Sequence, residues 1–190
     1  VCSTQNRYNT FLPKLLNQLF SQIEELPEHL QDEVEVITVI DNKRRMLGTK
    51  RNDLVNMAQG DYVAFADDDD RVSHDYIFEL LMATNVGADI LVFQVDVSIN
   101  GAEAKPCYYS NQIKEDYNMP YAYYRLPNHI MAVKRELALK VKYKDILKGE
   151  DADYSKRLLP FLNTEYNIDK PLYFYDYSDE TTETQQKIKR

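Results

Sequence analysis

Residues 60–70 read GDYVAFADDDD. Gly60 is a natural stop for a preceding helix. Tyr62-Val63-Ala64-Phe65-Ala66 is short and apolar, which predicts a buried strand. That strand delivers Asp67, Asp68, Asp69 and Asp70 to its carboxyl end with no spacer. Upstream, residues 49–59 carry Leu54, Val55 and Ala58 on one face and predict a helix. The β-branched run VEVITVI at 34–40 predicts a second buried strand. Before it, Leu12, Leu15, Leu16, Leu19, Ile23 and Leu26 recur at helical spacing, and Pro27 stops that helix. Residues 1–4 read as the end of a strand.

Downstream, Ser73 is placed to cap a helix running to Thr84. Residues 89–97 (DILVFQVDV) predict a fourth strand, and Asn100-Gly101 a turn. Residues 102–128, rich in Tyr and Pro, read as a long irregular segment of the kind that carries function. A strand at 129–133, helices at 135–141 and 151–162 and a last strand at 172–177 follow, and the tail from Ser178 is polar and loose. Strand–helix alternation of this kind predicts an α/β fold, a central mostly parallel sheet flanked by helices. Ligands of such sheets sit beyond the carboxyl ends of the strands. The residues to read first are therefore Gln5 to Arg7, Asp41 and Asn42, and the four aspartates.

Composition narrows the function. The chain has 190 residues, 44% of them apolar, which suits one domain with its own core. With 31 acidic and 23 basic residues the net charge is −8, so a broad nucleic-acid-binding face is not expected. No apolar run reaches the roughly 18 residues of a membrane span. Two cysteines, Cys2 and Cys107, make neither a disulfide framework nor a four-thiolate zinc site. A reduced, cytoplasmic setting is expected.

Three clusters carry chemistry. Four aspartates at the mouth of a buried strand repel each other by about 1 kcal/mol per close pair even in water. A hard divalent cation, Mn²⁺ or Mg²⁺, removes that cost; the alternative is a solvated loop. Lys43, Arg44, Arg45, Lys50 and Arg51 gather five cations at a predicted helix start, a phosphate site or a solvated basic patch. Gly149-Glu150-Asp151 places two carboxylates before a helix, as a catalytic base or as a plain acidic cap.

The ordered series TQNR (4–7), VITVIDN (36–42), KRN (50–52), GDYVAFADDDD (60–70) and GED (149–151) resembles the family 2 glycosyltransferases of the GT-A fold, from Val1 to about Leu162. The resemblance implies transfer of a sugar from a nucleotide-diphosphate donor, a UDP-sugar, to a saccharide hydroxyl, with inversion. It implies donor contacts from Thr4, Arg7, Asp41, Lys50, Arg51, Asp67 and Asp68, with Asp41 reading the N3–H of uracil. It implies metal ligation by Asp69 and Asp67 and a catalytic base at Asp151, with Glu150 the second candidate. In one departure from the family pattern, Asn42 and a basic stretch follow Asp41, where a second acid is common. Acceptor contacts are expected from Tyr121, Tyr123 and His129, although tyrosines in such a segment serve equally as core. The domain is taken as 1–177, with 1–97 binding the nucleotide sugar and 98–177 the acceptor. The tail 178–190 would then be a linker, and the chain a piece of a longer enzyme. Bacterial polysaccharide synthesis and viral glycan decoration, the latter in a host-cell cytoplasm, both fit. A nucleotidyltransferase would want a Gly-rich first loop, which TQNRYN lacks. A haloacid-dehalogenase-type phosphatase would want its aspartates near the start. A non-catalytic sugar-binding module would need no base.

Overall fold

A computed structural model describes residues 1–179; the rest of the polar tail lies outside the described residues. The order is β1 (Cys2–Thr4), α1 (Leu12–Glu25), α2 (Glu28–Gln31), β2 (Val39–Asp41), α3 (Leu47–Met57), β3 (Tyr62–Val63), β4 (Arg71–Val72) and α4 (Tyr76–Thr84). It continues with β5 (Ile90–Ile99), β6 (Lys105–Tyr109), β7 (Tyr117–Asn118), β8 (Tyr123–Arg125), β9 (Ala132–Lys134), α5 (Arg135–Val141), α6 (Glu150–Leu158), a 3₁₀ turn (Leu159–Phe161) and β10 (Glu165–Tyr177).

β5 organises the molecule. Ile90, Leu91, Val92, Phe93 and Val95 are almost wholly buried, as a strand covered on both faces should be. One edge pairs in parallel with β10 along its whole length; the other pairs antiparallel with β9 and then β6. β1 and β2 form a parallel pair, and an isolated bridge from Cys2 to Asp67 joins them to the acidic loop. The sheet is thus mixed. Parallel pairing holds for β1–β2, β5–β10 and β6–β8, while short antiparallel returns build the rest.

Several local expectations change. The buried strand expected over 62–66 pairs only at Tyr62 and Val63, which are half-buried; Phe65 and Ala66 are buried beyond the end of the ladder. The strand expected at 34–40 forms a ladder only over Val39–Asp41, because its partner β1 is three residues long. Ser73 does not cap α4. Its hydroxyl donates to Asp75, and Gln22 of α1 performs the capping, accepting from the Ile77 amide at 2.9 Å and donating to the Ser73 carbonyl at 2.8 Å. Residues 102–128 hold β6, β7 and β8. Their sequence lacks apolar alternation because cross-strand tyrosines do the packing: Tyr117 stacks on Tyr124 at 4.6 Å between ring centroids, and Tyr108 meets Tyr124 at 5.6 Å.

α3 begins at Leu47, earlier than expected, and its first turn presses on the segment leading to α6. A Cβ at Gly48 would lie 2.3 Å from the Lys144 carbonyl oxygen, and the Thr49 hydroxyl donates to Asp145 at 2.6 Å. On helix propensity alone, Gly48→Ala would stabilise by about 1 kcal/mol. The backbone clash reverses that sign. The substitution should destabilise by about 1–3 kcal/mol, the usual cost of forcing extra volume into a packed contact, read from urea midpoints. A gain in midpoint would contradict this close approach.

Candidate functional site

The loops after β1, β2 and β3 and the start of α6 meet around a cleft of about 760 Å³. Its walls include Thr4, Arg7, residues 43–47, Lys50, Arg51, Asp67 to Asp70, His129 and residues 146–152. Most of the expected site residues are therefore gathered at one place.

The four aspartates do not act alike. Asp68 is buried: Ser3 Oγ donates to it at 2.5 Å, and Arg7 holds it through Nη2 at 2.7 Å and Nε at 3.0 Å. Asp70 is buried too and accepts from the Tyr173 hydroxyl at 2.7 Å; that hydroxyl accepts in turn from the Asp67 amide at 2.9 Å. Asp67 and Asp69 are the outward pair, with side chains 34% and 20% exposed. The alternation fits a tight turn closed by the Asp70 amide on the Asp67 carbonyl. Asp68, expected at the donor, is locked inside by Ser3 and Arg7.

Charge follows position. Burial works against the Asp67 carboxylate, but His129 and Arg51 outweigh it and hold it well below the usual range. His129 Nε2 lies 3.2 Å from Asp67 Oδ2. Burial raises Asp69; Arg7, at 2.8 Å, opposes this, and the charges of Asp67 and Asp68 add to it. Burial and the Asp67 charge push Asp70 up to about 9.

Of the five clustered cations, Lys43, Arg44 and Arg45 are exposed at the rim, whereas Lys50 and Arg51 are committed to carboxylates. Lys50 and Arg51 lie in the second turn of α3, not at its start, and both are buried. Lys50 Nζ sits 3.1 Å from Asp41 Oδ1, while Asp41 Oδ2 accepts from the Arg45 amide. Burial opposes these contacts but they prevail, so Asp41 stays ionised below the ordinary range. The Lys43 amide is a third donor to this carboxylate. Arg51 Nη1 donates to Glu150 at 3.1 Å and Nη2 faces Asp67 Oδ1 at 3.5 Å.

At the far wall, α6 starts after Gly149, whose φ of 76° suits glycine. Glu150, the second candidate base, is buried against Arg51. Asp151 is half-buried on the cleft wall; Oδ1 accepts from the Ala152 amide, and Oδ2 has no partner among the described residues. It lies inside the first turn of α6 rather than at the capping position, which Gly149 occupies. Tyr121 and Tyr123, expected at the acceptor, do not line the cleft: Tyr121 is 67% exposed between β7 and β8, and Tyr123 carries the Arg125 guanidinium on its ring.

Ser3, Asn52, Tyr143 and Tyr173 shape the site without having been singled out. Asn52 clamps the Tyr143 backbone with two hydrogen bonds of 2.8 Å. The Asn of KRN was the available signal; the other three lie in runs that read simply as strand or helix flank. Three buried atoms of wall residues, Thr4 Oγ1, Arg51 Nε and His129 Nδ1, lack hydrogen-bond partners among the described residues. Such orphans ask for a ligand or ordered water.

Among the described residues no three His, Cys, Asp or Glu side chains form a ready-made cage. Asp67 and Asp69 supply two outward carboxylates; burial, with a smaller push from the charges of Asp67 and Asp68, raises Asp69. Two carboxylates plus substrate phosphates and water are what Mg²⁺ and Mn²⁺ commonly take, so the residues fit such an ion.

Residues 21–138 match the model of glycosyl transferase family 2, and the chain belongs to that family. The fold is the GT-A fold. The chain is similar to the crystal structure of S. aureus TarS 1-349 in complex with UDP-GlcNAc, with TM-score 0.67 and 15% identity over 100% of this chain and 60% of that one. It is similar to S. aureus TarS 1-349 without that ligand at TM-score 0.65, 15% identity, 92% of this chain and 59% of that one. The chain thus spans less than two thirds of those structures. No curated protein sequence matches it. Among the described residues no helix is long and apolar enough to cross a membrane.

Asp70 gives the site a pH signature. An unfolded aspartate loses its proton near 3.8, whereas the folded group keeps it to about 9. Between those values the folded state binds the extra proton, so stability is greatest below the window and declines as pH rises through it. In EDTA, wild-type Tm should fall from pH 5 towards 9 more steeply than that of Asp70→Asn, which keeps an acceptor for Tyr173. Parallel Tm–pH curves would show that Asp70 is not held neutral.

Proposed function

We propose that this chain carries the donor and base sites of a glycosyltransferase that moves a sugar from a UDP-sugar to a saccharide hydroxyl, with inversion. The observation that carries the reading is the convergence, in one cleft, of the outward Asp67 and Asp69 with the uncommitted Oδ2 of Asp151. The likeness to S. aureus TarS 1-349 in complex with UDP-GlcNAc supports a uridine donor.

Asp41 is ionised and accepts a hydrogen bond from uracil N3–H, which cytosine lacks. Lys50 holds it in place rather than touching phosphate. Arg7, anchored on Asp68, and the rim cations Lys43, Arg44 and Arg45 offset the diphosphate charge. Asp67 and Asp69 hold Mn²⁺ or Mg²⁺. Such an ion, when bound, supplies charge stabilisation to the departing diphosphate. His129 fixes the Asp67 carboxylate. Asp151 takes the proton of the acceptor hydroxyl as that oxygen attacks the anomeric carbon. Its place in the first turn of α6 favours the ionised form. Glu150 is excluded from that task by its pairing with Arg51.

Asp151→Asn keeps size and removes the basic oxygen. Losing a general base typically costs about 10²–10⁴ in rate. Transfer to any saccharide acceptor should fall by that amount while UDP affinity, by calorimetry with Mn²⁺, stays at the wild-type value. Near-native turnover would reduce Asp151 to a helix-start residue and remove the base from the account.

A further inference from the structure

Arg51 is an unusual buried group. Only 2% of the residue is exposed, and its guanidinium carbon lies 5.7 Å from the Phe65 ring centroid and 5.5 Å from that of Tyr143. Tyr143 is itself stacked on Tyr154 at 3.9 Å and edge-on to Phe65 at 5.8 Å, so both rings are held from behind. A buried guanidinium is costly unless its charge is paired and its donors are used. Here they are incompletely used. Nη1 donates to Glu150 at 3.1 Å. Nη2 faces Asp67 at 3.5 Å, an ion pair at the outer edge of hydrogen-bond range. Nε is buried with no partner among the described residues.

The two carboxylates belong to different functional segments. Asp67 opens the acidic loop on the donor side; Glu150 is the first residue of α6 and the direct neighbour of Asp151. The cation between them is held by rings and has donors to spare, so it can shift its hold from one carboxylate to the other. We propose that Arg51 is a positioning residue that couples the acidic loop to the seat of α6. When Asp67 is drawn into the cleft by ligand, its attraction on Arg51 weakens and the guanidinium commits its free donors to Glu150. That fixes the first turn of α6 and the Asp151 carboxylate beside it, so the base is set when the donor is present. The inference rests on the reading of Asp151 as base and the acidic loop as donor site.

Coupling of this kind is reciprocal. Removing the Glu150 charge leaves Arg51 pulling only on Asp67, which makes Asp67 harder to recruit. Glu150→Gln, nearly isosteric, should therefore weaken UDP binding in Mn²⁺ by about 5–150-fold, the usual span of coupling between sites. Asp151→Asn, one residue on, should leave that affinity unchanged. Hydrogen exchange in ligand-free protein supplies a second readout. Glu150→Gln and Arg51→Lys, which keeps charge but loses the fork, should both speed exchange at residues 150–153. In wild-type protein UDP with Mn²⁺ should slow it there. Wild-type affinity in Glu150→Gln together with unchanged exchange at 150–153 would overturn the coupling. If wild-type protein binds no nucleoside diphosphate, the donor assignment fails, and the ligand-free exchange of Glu150→Gln alone decides whether Arg51 ties the two segments. Should Arg51→Lys not fold, Glu150→Gln carries the test.

Discussion

The anchoring of alternate aspartates in the loop after β3 is the constraint on which the site depends. Four adjacent carboxylates would otherwise splay into solvent to limit repulsion. Here Asp68 is drawn inward by Arg7 and Ser3, and Asp70 by the Tyr173 hydroxyl. Asp67 and Asp69 are left facing the cleft. The inward contacts come from β1 and its loop on one side and from β10 on the other, so the sheet itself fixes which carboxylates are presented. The same hydroxyl of Tyr173 receives the Asp67 amide, which ties the turn at both ends.

The buried cations around this arrangement are shared among its carboxylates. Arg7 serves two carboxylates, Arg51 is shared between Asp67 and Glu150, and Lys50 is spent on Asp41. Asp70 keeps its proton instead. Desolvated charge is common where a protein receives a charged ligand. The wall opposite carries the contrasting group, Asp151, in an open first turn beside a cation-rich rim. An acid-lined floor with a free carboxylate across it suits group transfer between two bound molecules, because proximity then supplies much of the acceleration.

Much of this was legible in the sequence. The apolar run YVAFA and its aspartates are contiguous, so their joint placement needs no tertiary knowledge, although only Tyr62 and Val63 of that run form strand. α5 was predicted at its observed bounds. The division of the aspartates into inward and outward pairs was not legible. It is set by partners 61 residues away for Arg7 and Asp68, and 103 away for Tyr173 and Asp70. Glu150 and Asp151 look equivalent as a string, and only the burial of Arg51 separates a paired acid from an available one. The placement of Tyr121 and Tyr123 was not legible for a related reason: Tyr123 packs under Arg125 and Tyr121 stands away from the cleft, contacts set by the fold of β7 and β8.

The central claim is that Asp67 and Asp69 receive a nucleoside diphosphate only together with a divalent cation. Calorimetric titration of UDP into the protein tests it most directly, run in Mn²⁺, in EDTA, and in Mn²⁺ with Asp69→Asn. Tight binding in Mn²⁺ alone, lost in EDTA and in the variant, is the result expected. Equal affinity in Mn²⁺ and in EDTA would contradict it, and would leave Arg7 and the rim cations as the groups that hold the diphosphate.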